Sequence, residues 1–138
     1  MTNSSITSKL KDKKVVLSII WIFVLMNMIY ADILNTMKPG YLAELENVSK
    51  VISDEMVLLF AVLMEIPIIM IPLARLLIRK SNRLAHFIAV PLTILWVIVP
   101  SILLPGTPLS YIFFATVEVI AMLFMFWYAW NWKKEDKV

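Results

Sequence analysis

The sequence predicts an all-α integral membrane protein, a bundle of four antiparallel transmembrane helices, and three observations support this fold class. First, 61% of the 138 residues are hydrophobic and 17% are charged, with a mean hydropathy of +0.84. Soluble domains average about 45–50% apolar and about 25% charged residues, and they cannot leave such a large apolar surface in water. Second, the apolar residues form four long runs, and third, the basic residues lie at the ends of these runs.

The four runs cover residues 15–34, 56–76, 86–104 and 109–130. Each is close to the ~20 residues that a helix needs to cross ~30 Å of hydrocarbon. Because the connections are short, consecutive helices are expected to be antiparallel neighbours in a single domain over residues 1–138. The first run is too long for the apolar part of a cleaved signal peptide, so we interpret it as a retained helix.

The distribution of Lys and Arg predicts the orientation in the membrane. The N-terminal segment carries four bases, the second connection four and the C-terminal tail three, whereas the first connection has two and the third has none. Cytoplasmic loops are enriched in Lys and Arg, so both termini are expected in the cytoplasm. This explains the net charge of +3 without a nucleic-acid partner.

The first external connection is the longest, and it is expected to contain a short amphipathic helix. Pro39 and Gly40 predict a turn, and apolar residues then recur at helical spacing at Leu42, Leu45, Val48 and Ile52. This pattern is typical of a helix at the membrane surface. Two interpretations remain open, a simple connecting helix and a lid over a site between the spans.

Several kinds of chemistry are excluded or disfavoured by composition. The chain has no cysteine, so thiol catalysis and Cys-ligated metals are excluded, and its two glycines cannot form a Gly-rich phosphate loop. No cofactor or metal site is expected. The single histidine, His86, is expected at the cytoplasmic interface, and the nine methionines are interpreted as packing residues.

Three acidic residues remain inside the spans and form the candidate site. Glu65 and Glu118 lie nine residues from the outer ends of their runs, about 14 Å deep at ~1.5 Å per residue. Asn27 is expected about 10 Å deep, and Asp32 only about 3 Å, by the same rise. We therefore predict one polar layer of Asn27, Glu65 and Glu118 with Asp32 at its outer mouth.

Arg75 is the one Lys or Arg within these runs, at the inner end of the second run, ten residues and about 15 Å along the helix from Glu65. It is therefore too far away to neutralise these acids. Burial and mutual repulsion favour the neutral form of a carboxyl group, so at least one of the two glutamates is expected to be protonated at pH 7. The pair would then bind a proton or a cation. The alternative is that two protonated glutamates only hold the helices together, through hydrogen bonds to Asn27, Tyr30 or free carbonyls.

The surroundings of the two glutamates favour a cavity. Pro67 and Pro72 remove backbone donors next to Glu65. On the fourth run, Ala115 is a small residue near Glu118, and Tyr111 lies two turns above it on the same side. The candidate ligand- or proton-binding residues are therefore Asn27, Tyr30, Asp32, Glu65, Tyr111 and Glu118.

Three segments, residues 21–32, 61–67 and 111–118, resemble those of a family of small bacterial four-helix membrane proteins. They contain Asn27, Asp32, Glu65 and Glu118, and the resemblance extends over nearly the whole chain. It implies a location in the bacterial inner membrane. The family is functionally uncharacterised, so the resemblance implies no activity.

Three functions fit these observations. The first is binding or transport of a proton or a small cationic or amphipathic ligand, for which a homodimer is expected because four helices enclose little volume. The second is an accessory subunit whose carboxylates bind a partner. The third, which we favour least, is an enzyme acting on a lipidic substrate with Glu65 and Glu118 as an acid/base pair.

Overall fold

The structure is a computed structural model, and it describes residues 12–50, 52–103 and 107–132. This part of the chain contains five helices: α1 (Lys13–Thr36), α2 (Tyr41–Ser49), α3 (Asp54–Leu76), α4 (Arg79–Leu103) and α5 (Leu109–Trp130). Four of them, α1, α3, α4 over Arg79–Val99 and α5, are long and apolar enough to cross a membrane. The predicted fold class is therefore confirmed, and the protein is a multi-pass membrane protein.

The four long helices form a closed ring in chain order. Helix α1 packs against α3 and α5, and α4 packs against the same two helices, so α1 and α4 lie diagonally across the bundle. The end that carries α2 is called the outer end below, and the end that carries the α3–α4 turn is called the inner end. Short connections between consecutive helices require this up-and-down arrangement.

Local sequence signals explain where the helices begin. The Asp12 side chain accepts a hydrogen bond from the backbone N–H of Lys14 at 3.0 Å, and Ser53 caps α3 by accepting from Met56 at 3.4 Å. Such caps satisfy donors that the first helical turn leaves free. Gly40 has φ of +82°, the left-handed conformation that glycine adopts at least cost, in the turn before α2.

Two boundaries differ from the apolar runs. Helix α4 begins at Arg79, whereas the third run begins at residue 86, because a hydropathy pattern detects apolar length and not the polar turns that precede it. The predicted end of that run, residue 104, lies outside the described residues. Lys9, Lys11 and the bases of the C-terminal tail, on which the predicted orientation rests, also lie outside the described residues.

The core is packed tightly at the inner half and more loosely at the outer half. Trp21, Val24, Val90, Met122 and Met125 are all fully buried in the inner half. Helix α3 buries only Pro67, Met70 and Ala74, and none of its residues before Pro67 is buried. The outer half of α3 therefore leaves room between the helices.

Candidate functional site

A cavity of about 100 Å³ lies between the four long helices in the outer half of the bundle. It has two carboxyl groups, one phenol, one indole and otherwise apolar walls. Its lining residues are Met28, Ala31 and Asp32 of α1, Met64 of α3, Trp96 and Val97 of α4, and Tyr111, Ala115 and Glu118 of α5.

Glu118 forms the deep end of this cavity. Its side chain is only 3% exposed, and its Oε1 atom has no hydrogen-bond partner among the described residues. It lies nine residues below Leu109, about 14 Å along the helix at ~1.5 Å per residue. A buried carboxyl oxygen without a partner is costly, because burial removes its hydrogen bonds to water.

Asp32 and Tyr111 form the outer mouth. Asp32 is exposed and lies four residues before the end of α1, about 6 Å from it, and Tyr111 is half-buried near the start of α5. Tyr111 and Glu118 are seven residues apart, two turns of one helix, so the cavity extends about 10 Å inward. At its α4 wall, the Trp96 ring packs against Phe60 of α3, with the ring centroids 5.2 Å apart.

No Lys or Arg belongs to the lining of this cavity. In the described part of the chain, the one ion pair joins Lys38 and Glu44 at 3.6 Å, and neither residue lines the cavity. The described residues also contain no group of three or more His, Cys, Asp or Glu that could hold a metal ion. The two carboxyl groups therefore have no counter-ion from the described chain.

Helix α2 begins close to the mouth. Burial, followed by the negative charges of Asp32 and Glu44, raises the pKa of the Tyr41 phenol above its usual value. Tyr41 is the first residue of α2, and within the described residues this helix packs only against α1. The structure therefore places one end of α2 near Asp32, and both interpretations of this helix stay open.

The structure brings together three of the six candidate residues, Asp32, Tyr111 and Glu118. Asn27 is half-buried, and its Nδ2 donates to the Phe23 carbonyl of its own helix at 2.9 Å. Tyr30 is 54% exposed on the outside of α1. Neither residue lines the cavity.

Glu65 is the main correction. Its side chain is exposed on the outside of α3 and does not line the cavity, which Met64, the preceding residue, reaches instead. The prediction that Glu65 and Glu118 share one polar layer is therefore wrong for a single chain. Successive helical residues point about 100° apart, so two carboxylates at equal depth can face different sides.

The apolar walls were only partly predictable. The sequence marks Ala115 as a small residue near Glu118, whereas Met64 and Trp96 carry no signal that separates them from other apolar residues of their spans. Trp96 is nevertheless the largest side chain that lines the cavity. Only the packing of α4 against its neighbours identifies it.

A second group of buried polar residues lies at the inner end. Trp21 Nε1 donates to His86 Nε2 at 3.1 Å, His86 Nδ1 donates to the Asn82 carbonyl at 2.8 Å, and Asn82 Nδ2 donates to the Ala74 carbonyl at 2.7 Å. His86 is fully buried between the helices and lies seven residues inside α4, whereas the sequence placed it at the start of the third run. Its imidazole connects the diagonal helices α1 and α4.

Comparison with known proteins assigns the chain to a family whose function is unknown. Residues 5–138 match a family of unknown function, DUF6326. No curated protein and no solved structure is detectably similar to the chain. Because the match covers nearly the whole sequence, the chain belongs to the DUF6326 family, which agrees with the resemblance to an uncharacterised family of small four-helix membrane proteins.

Proposed function

We propose that this protein binds a small organic cation in the Asp32–Glu118 cavity in exchange for a proton, and that it transports this cation across the bacterial inner membrane. The observation that carries the proposal is Glu118. It is a buried carboxyl group whose Oε1 atom has no partner in the described chain, at the end of a cavity whose lining contains a second acid and no base.

The chemistry of the lining favours a cation with apolar substituents. A carboxyl group inside a membrane protein either holds a proton or faces a positive charge, because an isolated buried charge is costly. The faces of Trp96 and Tyr111 can add cation–π attraction, and Met28 and Met64 supply apolar surface. An ammonium group carrying small alkyl groups matches all of these features.

The size of the cavity limits the ligand. A volume of about 100 Å³ is roughly three times the ~30 Å³ that one water molecule occupies in the liquid. Typical sites for drug-sized ligands measure about 300–1,000 Å³. The site therefore suits a small alkylammonium ion, or the head of an amphipathic cation whose tail extends toward lipid.

Transport is favoured by the position of the packed layer below the cavity. Trp21, Val24, Val90, Met122 and Met125 are fully buried between Glu118 and the inner end. A site that is open on one side and closed on the other is the arrangement from which alternating access starts. The proton on Glu118 would leave when a cation arrives from the outer side.

A role in assembly is the second candidate, and Glu65 favours it. A charged residue at the centre of a membrane helix costs about 2.5–3.5 kcal/mol, and such residues normally face protein or water. Glu65 is exposed and has no hydrogen bond or ion pair with a described residue. We propose that a second copy of the chain covers this side of α3 in a homodimer.

The binding proposal is tested by titrating the purified protein with tetramethylammonium and measuring the heat of binding. Tetramethylammonium is permanently charged, so any pH dependence belongs to the protein. We expect Glu118→Gln to weaken binding by about a hundredfold or more, since losing one partner of a desolvated charge pair costs about 3–5 kcal/mol. The larger tetraethylammonium should bind more weakly because the cavity is small.

Glu65→Gln is the matched control, because Glu65 is a membrane carboxyl group at a similar depth that lies outside the cavity. The affinity of this variant for tetramethylammonium should equal that of the unmodified chain. Binding should also weaken as the pH falls, by about tenfold per pH unit where Glu118 is protonated, since proton and cation compete. Equal affinities of the unmodified chain and Glu118→Gln would refute the cavity as the site.

A further inference from the structure

Three basic side chains converge on the inner end of α5. Lys13 Nζ donates to the Asn131 carbonyl at 3.0 Å. Arg79 donates to the Trp132 carbonyl through Nε at 3.0 Å and Nη2 at 2.5 Å. Arg83 Nη2 donates to the Trp130 carbonyl at 3.3 Å. We propose that Lys13, Arg79 and Arg83, called the basic cluster below, bind the phosphate of an anionic phospholipid.

The carbonyl groups of α5 do not neutralise the basic cluster. The free carbonyls at a helix C-terminus together carry about half a negative charge. None of the three bases forms a salt bridge with a described acid. Asp12, the neighbour of Lys13, uses its carboxylate to cap the N-terminus of α1. With three bases and one neighbouring acid that is not paired with any of them, the cluster keeps a net positive charge that attracts an anion.

Arg83 has a donor that lacks an acceptor. Its Nε atom is buried and makes no hydrogen bond within the described residues, while its guanidinium group lies 5.6 Å from the centroid of the Phe87 ring. A guanidinium group presents its donors as a planar fork that fits two phosphate oxygens. Because Nε is covered by the protein, a phosphate would approach Arg83 through its terminal Nη atoms, of which Nη2 already lies at the end of α5.

The position of the basic cluster favours a lipid over a soluble anion. It lies at the ends of three membrane-spanning helices, where headgroup phosphates are found. Aromatic rings lie beside it: the ring centroid of Trp130 is 5.6 Å from that of Phe87 and 6.3 Å from that of Phe126. Aromatic side chains are enriched at this level of membrane proteins and could pack against the acyl chains of a bound lipid. This inference concerns the opposite end of the bundle from the cavity, so it does not depend on the proposed function.

The test measures binding of phosphatidylglycerol to the purified protein in a zwitterionic detergent, by native mass spectrometry and by the shift in thermal unfolding. Phosphatidylcholine serves as the lipid without net charge. Arg83→Gln should weaken binding of phosphatidylglycerol about fivefold, since each base near an anionic surface contributes about 1 kcal/mol. Arg83→Lys should be intermediate, because it keeps the charge and loses the fork.

Arg75→Gln is the matched control, because Arg75 is an exposed arginine at the same end of the bundle and lies outside the basic cluster. It should bind as the unmodified chain does. If Arg83→Gln does not fold, Lys13→Gln tests the same site with a smaller change and should also weaken binding about fivefold. Equal losses in the control and cluster variants would contradict the proposal. So would inorganic phosphate that binds as tightly as the lipid, because the ligand would then be a soluble anion.

Discussion

At the scale of single residues, the hydrogen bonds of His86 define its protonation state. The indole N–H of Trp21 can only donate, so the Nε2 atom of His86 that receives it must carry no proton. The Nδ1 atom faces the Asn82 carbonyl, which can only accept, so this atom carries the proton. His86 is therefore neutral, as a fully buried imidazole without a counter-ion should be.

Trp21→Phe is expected to destabilise the protein by about 1–3 kcal/mol, because it leaves a buried acceptor on His86 without a donor. The measurement is the midpoint of thermal unfolding or of unfolding in denaturing detergent. Trp127→Phe is the control, since Trp127 is exposed on the outside of α5 and should change stability by less than about 0.5 kcal/mol. Equal effects of the two substitutions would show that the hydrogen bond contributes nothing.

At the scale of elements, a single side chain fixes the connection between α3 and α4. Only Leu77 and Ile78 separate the two helices. The Asn82 side chain reaches back from α4 to the Ala74 carbonyl in the last turn of α3, and the Asn82 N–H donates to the Ile78 carbonyl at 2.8 Å. The side-chain bond supplies a donor to a carbonyl at a helix end, where backbone donors are lacking.

Asn82→Ala should therefore lower the free energy of unfolding by about 1–3 kcal/mol, because a buried carbonyl of α3 loses its side-chain donor. Unfolding in denaturing detergent, followed by circular dichroism, measures the change. Ser81→Ala provides the comparison, since Ser81 is the exposed neighbour on the same turn. If both variants have the same free energy of unfolding as the unmodified chain, the Asn82 side chain does not stabilise the connection between α3 and α4.

At the scale of the whole molecule, the bundle combines a closed inner half with an outer half that α3 leaves open. Fully buried residues and hydrogen bonds between helices concentrate toward the inner end. In its outer half and at its centre, α3 exposes Ala61 and Glu65 one turn apart on the same side. A small residue beside a carboxyl group allows close approach of another helix, and a two-fold axis would place the two Glu65 side chains together.

The proposed homodimer is tested by cysteine cross-linking, which is straightforward because the chain has no cysteine. Ala61→Cys should form a disulfide-linked dimer in membranes upon mild oxidation, since the two copies of residue 61 would lie close together. Thr116→Cys is the control at the same depth, because Ala61 and Thr116 each lie seven residues from the outer end of their helices. The side chain of Thr116 is exposed on the outside of α5. We expect a several-fold higher yield for Ala61→Cys, and equal yields would exclude this interface.

The sequence alone determined which segments of this protein form its four membrane-spanning helices. The four spans follow from the length of the apolar runs, because each helix must satisfy its own backbone hydrogen bonds while crossing lipid. Carboxyl groups within these runs predict the candidate site, because ionisable residues in spans are rare. Counting along the helices also gave the depth of Glu118 in the bundle, since the helical rise is constant.

Only the tertiary structure decided which side of each helix faces the cavity. In a soluble bundle, the apolar stripe marks the buried side, but in lipid both the buried side and the outer side are apolar. Glu65 and Glu118 are therefore equivalent by composition and depth, and helix packing alone directs Glu118 inward and Glu65 outward. The same packing places Asp32 and Trp96 beside Glu118 and encloses His86, because the rotation of each helix about its axis depends on its neighbours.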